Sequence, residues 1–187
     1  LAVLHCNELI ESMEATVACL EINPAAVELI GSMILKQAQS NLAYSRMTNF
    51  ISGNPEALLA IELVGDSQKE LDHKFNELKK IINTGGWGYE LLRLSSKEDQ
   101  QKVWDVRKAG LGLMMNVPGD AKPLPFVEDT AVSPEVLPEF VRRFDAIVRK
   151  HGTQAGYYGH ASVGCLHIRP LINLKTQDGI DRMVGIA

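Results

Sequence analysis

Leu58-Leu59-Ala60-Ile61-Glu62-Leu63-Val64 is a short apolar run with a single charge, entered through the turn residues Gly53-Asn54-Pro55. Runs of this length bounded by turn signals read as buried strands rather than helices. Ser67 and Glu70 then form a Ser-x-x-Glu capping box, which opens a helix through about Ile82. Thr84-Gly85-Gly86 stops that helix, and Tyr89 to Leu94 alternates as a second strand. Ser96 and Asp99 repeat the capping signature and start a helix through about Met115. Residues 116–125 hold three prolines and a Gly-Asp pair, so they form a loop. Phe126 to Val132 reads as a third strand. Ser133-Pro134 caps a helix whose Leu137, Phe140, Val141, Phe144, Ile147 and Val148 face one way, and Gly152 ends it. From Ala155 to Leu171 the chain is extended again, interrupted by Gly159 and Gly164.

From residue 56 onward the order is therefore strand–helix–strand–helix–strand–helix–strand. That order predicts an α+β or α/β sheet with helices on at least one face. Upstream, Leu9, Ile10, Met13, Val17 and Leu20 recur at helical spacing over about 6–20. Asn23-Pro24 supplies an N-cap with proline at the first helical position. Val27, Ile30, Met33 and Ile34 would line that second helix. Residues 1–52 are thus expected to be a helical lead-in, and 53–187 the domain proper. Leu1 to Cys6 carries neither an initiator Met nor the basic start of a signal peptide, and the helix begun at Thr176 simply stops, so both ends read as truncations.

The chain of 187 residues is 45% hydrophobic and 22% charged, with a formal net charge of −4. Lys and Arg are scattered, which gives no footprint for nucleic acid or an anionic membrane. No apolar run is long enough to span a bilayer. Cys6, Cys19 and Cys165 are far apart, as expected for reduced thiols of a cytoplasmic protein. Neither a Gly-x-Gly-x-x-Gly nor a P-loop is present, so no nucleotide cradle is encoded here.

Chemistry-bearing residues concentrate in Tyr157-Tyr158-Gly159-His160-Ala161-Ser162-Val163-Gly164-Cys165-Leu166-His167-Ile168-Arg169-Pro170. On one straight strand His160 and His167 would face opposite sides. A reversal through a four-residue loop over Ser162 to Cys165 places them directly opposite, with Cβ atoms about 5 Å apart on one face. Two neighbouring imidazoles suit a divalent metal, or a general base beside a hydrogen-bonding group. Half-buried histidines bonded to backbone are the alternative. In Trp104-Asp105-Val106-Arg107-Lys108-Ala109-Gly110, Arg107 offers a rigid fork for a carboxylate. Glu128 and Asp129, adjacent on a strand, would point to opposite faces.

These stretches, in this order, resemble the C-terminal domain of FAD-linked oxidases of the vanillyl-alcohol oxidase type. Gly159 to His167 is similar to their Gly-His-x-Gly-Asp-Gly-Asn-x-His signature, with Val163 and Cys165 replacing the acidic and amide residues. Trp104 to Gly110 resembles the preceding Trp-x-x-Arg-x-Gly stretch, and Glu128 to Pro134 the Glu-Asp-Val-Ala-Val-Pro strand. The group includes glycolate oxidase, D-lactate dehydrogenase and D-2-hydroxyglutarate dehydrogenase; the variant here looks closest to large bacterial members fused to a C-terminal iron–sulfur region.

The resemblance implies an α+β cap domain with an antiparallel, ferredoxin-like sheet and helices packed on one face. It would cover FAD held mainly by an upstream domain. The implied reaction oxidises a D-2-hydroxy acid to the 2-oxo acid. By position His160 and His167 would bind a divalent metal such as zinc or polarise the substrate hydroxyl, and Arg107 would hold the substrate carboxylate. Where relatives carry a Lys before the Asp of the third strand, this chain has Val127; Lys122 and Arg169 are the available substitutes. In metal-binding relatives a further Glu completes the site beyond residue 187. Two other readings remain open: a metal hydrolase with a third ligand among Glu128, Asp129 and His151, and a non-catalytic ferredoxin-like module that binds a small acid or a partner protein.

Overall fold

The computed structural model describes all residues 1–187. Eight strands form one antiparallel sheet: β1 (Ala2–Cys6), β2 (Ala26–Gly31), β3 (Ala57–Glu62), β4 (Glu90–Arg93), β5 (Lys122–Pro123), β6 (Thr130–Ala131), β7 (Ala155–His160) and β8 (Cys165–Ile172). The helices are α1 (Leu9–Cys19), α2 (Ser32–Ser40), α3 (Gln68–Gly85), α4 (Lys97–Lys108), α5 (Gly110–Met115), α6 (Leu137–Lys150) and α7 (Gln177–Ile186). Strand order is β4-β1-β3-β2-β7-β8-β5, with β6 also pairing with β8.

The first four strands, in the order β4-β1-β3-β2 with α1 and α3 on one face, make a split βαβ unit of the ferredoxin-like kind. Half of that unit comes from residues expected to be a helical lead-in. β1 is fully buried and pairs on both sides, Leu4 opposite Leu59 and Leu91. The expected helix opened by Asn23-Pro24 is instead β2 followed by α2, divided at Gly31. A Cβ at Gly31 would collide with the Tyr157 carbonyl, so only glycine lets the chain turn against β7. Val27 and Leu29 then face one side of the sheet and Glu28 and Ile30 the other, which strand geometry requires.

Helices cover both faces rather than one. Leu4, Met13, Leu59, Leu78 and Leu137 pack together beneath α1, α3 and α6. Val3, Ile30, Ile34, Leu58, Val103 and Met114 pack beneath α2, α4 and α5. Burying each such side chain stabilises by roughly 1.5–3 kcal/mol. Two expected caps form, Ser67 accepting from the Glu70 N–H and Ser96 from the Asp99 N–H, whereas Ser133 makes no capping bond and α6 starts only at Leu137 after a tight turn over Pro134–Val136. The helix predicted from Ser96 to Met115 breaks at Ala109, where α4 ends and α5 begins. The third predicted strand shrinks to Thr130–Ala131, because Asp129 adopts a left-handed conformation, φ 59°, that ends extended pairing. No helix is long and apolar enough to cross a membrane.

Both Cys6 and Cys19 are free and buried, and burial pushes the Cys19 thiol up to about 12. His5 is fully buried as well. Its Nε2 lies 2.9 Å from the Phe50 carbonyl, and Nδ1 has no partner. Desolvation lowers the His5 pKa from its ordinary value of 6.5. The unfolded chain therefore binds a proton that the folded chain refuses, so stability is complete above about pH 6.5 and declines below it. Replacing His5 by Phe should flatten that decline by up to about 1.4 kcal/mol per pH unit. Urea midpoints measured from pH 7.5 down to 5.5 test this: parallel curves for the two proteins rule His5 out as the acid-sensitive group.

Candidate active site

The site grows from three adjacent strands. β2 pairs with β7 so that Glu28 lies opposite His160 and Ile30 opposite Tyr158. β7 pairs with β8 so that Tyr158 lies opposite His167 and His160 opposite Cys165. Alternation then puts Glu28, Tyr158, His160, His167 and Arg169 on one face, the face covered by α2, α4 and α5.

The histidines are thus diagonal neighbours, not the directly opposed pair expected from a loop over Ser162 to Cys165. The loop is Ala161 to Gly164, one residue earlier at each end. Gly164 closes it at φ 70°, and a Cβ there would collide with the Val132 carbonyl. Changing the partner by two positions keeps the same face, so the rings still meet: their centroids are 5.6 Å apart in an edge-on arrangement. The Tyr158 ring lies 4.7 Å from that of His167.

Each imidazole is held through Nδ1 by a carboxylate. His160 Nδ1 is 2.7 Å from Glu28 Oε1, and His167 Nδ1 is 2.5 Å from Asp129 Oδ1. The left-handed backbone of Asp129 brings its carboxylate there, a conformation that Asp tolerates better than most residues. No protein hydrogen bond occupies either Nε2. Nδ1 on a carboxylate with Nε2 free is the arrangement that orients metal-ligating histidines. A hydroxyl proton could be taken at the same atom.

The two arginines are also engaged. From α4, Arg107 donates through Nε and Nη2 to Glu28 Oε2, at 3.0 and 2.7 Å, and its guanidinium lies 5.2 Å from the Tyr158 ring centroid. Arg169 donates to both oxygens of Glu128, with Nη2 2.7 Å from Oε2. Burial raises the Tyr158 phenol above its ordinary value, so it remains a neutral donor. Glu128, Asp129 and His167 offer ligand atoms within 4.8 Å of one another. The structure does not bring Lys122 to this group: it pairs with Ile172 near the far end of β8, and its ammonium donates to the Val117 carbonyl at 2.7 Å. His151 sits elsewhere, against Gly185 of α7. The residue that the sequence reading missed is Glu28; its signal is one charge inside the apolar strand Val27-Glu28-Leu29-Ile30.

The family profile of FAD linked oxidases, C-terminal domain, matches residues 1–186. The chain belongs to that family. As a member of the FAD-linked oxidase C-terminal domain family, it is 31% identical to the D-2-hydroxyglutarate dehydrogenase of Pantoea ananatis and 30% to that of Escherichia coli. Each match covers 82% of this chain and 16% of the relative, so the chain spans about a sixth of those proteins. Among solved structures, p-cresol methylhydroxylase superposes with a TM-score of 0.63 at 10% identity, over 99% of this chain and 41% of that one. A 4-ethylphenol oxidase from Gulosibacter chungangensis gives 0.59 at 14% identity, with the same coverages. These structures share the fold.

The coupling between Arg169 and Glu128 can be measured apart from chemistry. Arg169→Met strands the half-buried Glu128 carboxylate and should cost about 2–4 kcal/mol. Adding Glu128→Gln removes the stranded charge and should restore part of that loss. A double-mutant cycle by urea unfolding with no coupling between the two positions would contradict the pairing.

Proposed function

We propose that this chain is the substrate-side domain of a flavin-dependent dehydrogenase that oxidises a D-2-hydroxy acid to the 2-oxo acid. The observation that carries the reading is the convergence of His160, His167 and Arg107 on one sheet face, with both imidazoles oriented through Nδ1. FAD, held mainly by an upstream domain, would supply the two-electron acceptor. A downstream iron–sulfur region is the proposed onward electron carrier. The relatives named D-2-hydroxyglutarate dehydrogenase support a 2-hydroxy acid as the substrate class.

Two imidazoles oriented through Nδ1 suit a divalent cation such as zinc, which His160 and His167 would hold through Nε2. The three-donor group Glu128, Asp129 and His167 contains only one of the two, so a further ligand would have to come from outside it. Bound there, it would lower the pKa of a coordinated hydroxyl toward neutrality. The chain's own residues do the positioning. Arg107 has given its Nε edge to Glu28 and keeps its Nη1 edge for the substrate carboxylate, a planar two-point match. Tyr158 stacks beneath that guanidinium and limits its swing. Arg169, two residues along the same face from His167, stands ready for a second carboxylate if Glu128 yields it. The 51% exposed His160 ring leaves the group open on the side where a flavin domain would close it. The isolated 187-residue chain is expected to show no turnover.

In the natural full-length protein, D-2-hydroxyglutarate or a related D-2-hydroxy acid should bleach the flavin. His160→Ala should slow bleaching about 10²–10⁴-fold, and Arg107→Ala should lower kcat/KM about 100-fold or more. Stripping metal with a chelator should abolish bleaching, and adding zinc or manganese should restore it. A flavin that no hydroxy acid reduces, or silent substitutions, would remove the reading.

A further inference from the structure

Glu28 holds a position that ionic residues seldom occupy. It lies in β2 between Val27 and Leu29, both fully buried, and its side chain is only 12% exposed. Its two oxygens serve different partners on different elements. Oε2 accepts both N–H groups from one edge of Arg107 on α4, and Oε1 meets Nδ1 of His160 on β7. One carboxylate therefore ties together a helix and two strands. It also ties the proposed acid clamp to one of the two proposed metal ligands.

We infer that Glu28 is the positioning residue of this site, setting at once the tautomer of His160 and the free edge of Arg107. The inference rests on the proposed function and extends it to a residue that touches neither substrate nor metal. A carboxylate paired with a guanidinium offers only acceptors, so the bond to His160 requires hydrogen on Nδ1. The Nε2 lone pair is then directed outward, as ligation or proton abstraction demands. The same carboxylate occupies the Nε–Nη2 edge of Arg107, which leaves the Nη1 edge as the one that can grip an incoming carboxylate. Without Glu28, His160 is free to flip or change tautomer, and Arg107 can swing about its long stem. A purely structural counter-ion would neutralise Arg107 yet leave the orientation of His160 indifferent.

The test uses the natural full-length flavoprotein with Glu28→Gln and Glu28→Asp. Glutamine keeps the shape but sets an NH2 group against either Arg107 or His160, both donors. Aspartate keeps the charge that balances Arg107, and folding with it, but is one methylene too short to span both partners. Flavin content and thermal midpoint report folding, and competition with a chromophoric chelator reports zinc affinity. Relative to wild type, zinc affinity should fall about 10–100-fold in the folded variants. For hydroxy-acid oxidation, KM should rise through Arg107 and kcat should fall through His160. A folded variant that holds zinc within about twofold of wild type overturns the inference, being well short of the loss expected when an orienting partner is removed. Failure of both variants to accumulate as flavoprotein also overturns it, since that would make Glu28 a structural counter-ion. Wild type that takes up no zinc and oxidises no hydroxy acid removes the functional reading beneath it, a result distinct from a variant matching an active wild type.

Discussion

Antiparallel register across β2, β7 and β8 is the constraint on which the rest depends. Side chains alternate along a strand, so a one-residue slip of β8 against β7 would send His167 and Arg169 to the opposite face, among Leu59, Leu137 and the other apolar groups beneath α1, α3 and α6. There they would lose Glu128 and Asp129, and burying them unpaired would cost several kcal/mol. The loop from Ala161 to Gly164 prevents this. Gly164 takes a left-handed turn directly against Val132, whose N–H donates to the Gly164 carbonyl at 3.1 Å. The hairpin tip is thus locked to Val132, directly after β6, the strand that Glu128 and Asp129 lead into.

Once register is set, electrostatics does the remaining selection. Arg107 and Arg169 are 13% and 10% exposed, too buried to stand without counter-charges. Glu28 and Glu128 supply them, and each has a second duty. Glu28 orients His160, while Glu128 lies within 3.9 Å of His167. Tyr158 fills the centre of the group without adding charge, since burial keeps its phenol protonated. The result is a polar layer set into an otherwise apolar helix–sheet interface, consistent with a site built for function rather than for stability, since buried ion pairs contribute little net stability.

Much of this is legible in the sequence, for identifiable reasons. The strand–helix order after residue 56 follows from capping boxes and glycine stops, and Ser67 and Ser96 cap as their sequences require. The hairpin is legible because two histidines flank a reversal, although its loop starts one residue earlier than expected. β1 and β2 are hidden because a strand buried on both faces shows no alternation. In β2, moreover, Val27, Ile30, Met33 and Ile34 imitate a helical stripe across a strand–helix junction marked only by Gly31. Glu28 is hidden for a different reason. Its role depends on β2 lying beside β7, and a pairing between residues 132 apart leaves no local trace. Lys122 is plausible by position alone, and its place at the far end of β8 is a consequence of β5 pairing that proline-rich sequence does not advertise.

The charge count of the site bears on what it can bind. Glu28, Glu128 and Asp129 contribute three negative charges against two from Arg107 and Arg169, so with neutral imidazoles the group carries one excess negative charge. Such a surface alone would repel a hydroxy acid dianion, and the interaction is strong where solvent is excluded. A divalent cation at the two imidazoles, as proposed, would reverse the sign and make the group attractive to an anion, and the carboxylates that hold the rings would offset its repulsion by the arginines. On this account the acidic residues are what allow two buried arginines to share one small face, and what would let the proposed cation join them. The proposed substrate class, the donor set and the buried Glu28 then follow from a single requirement: a site that must gather positive charge around a small acid has to bury enough negative charge to hold it in place.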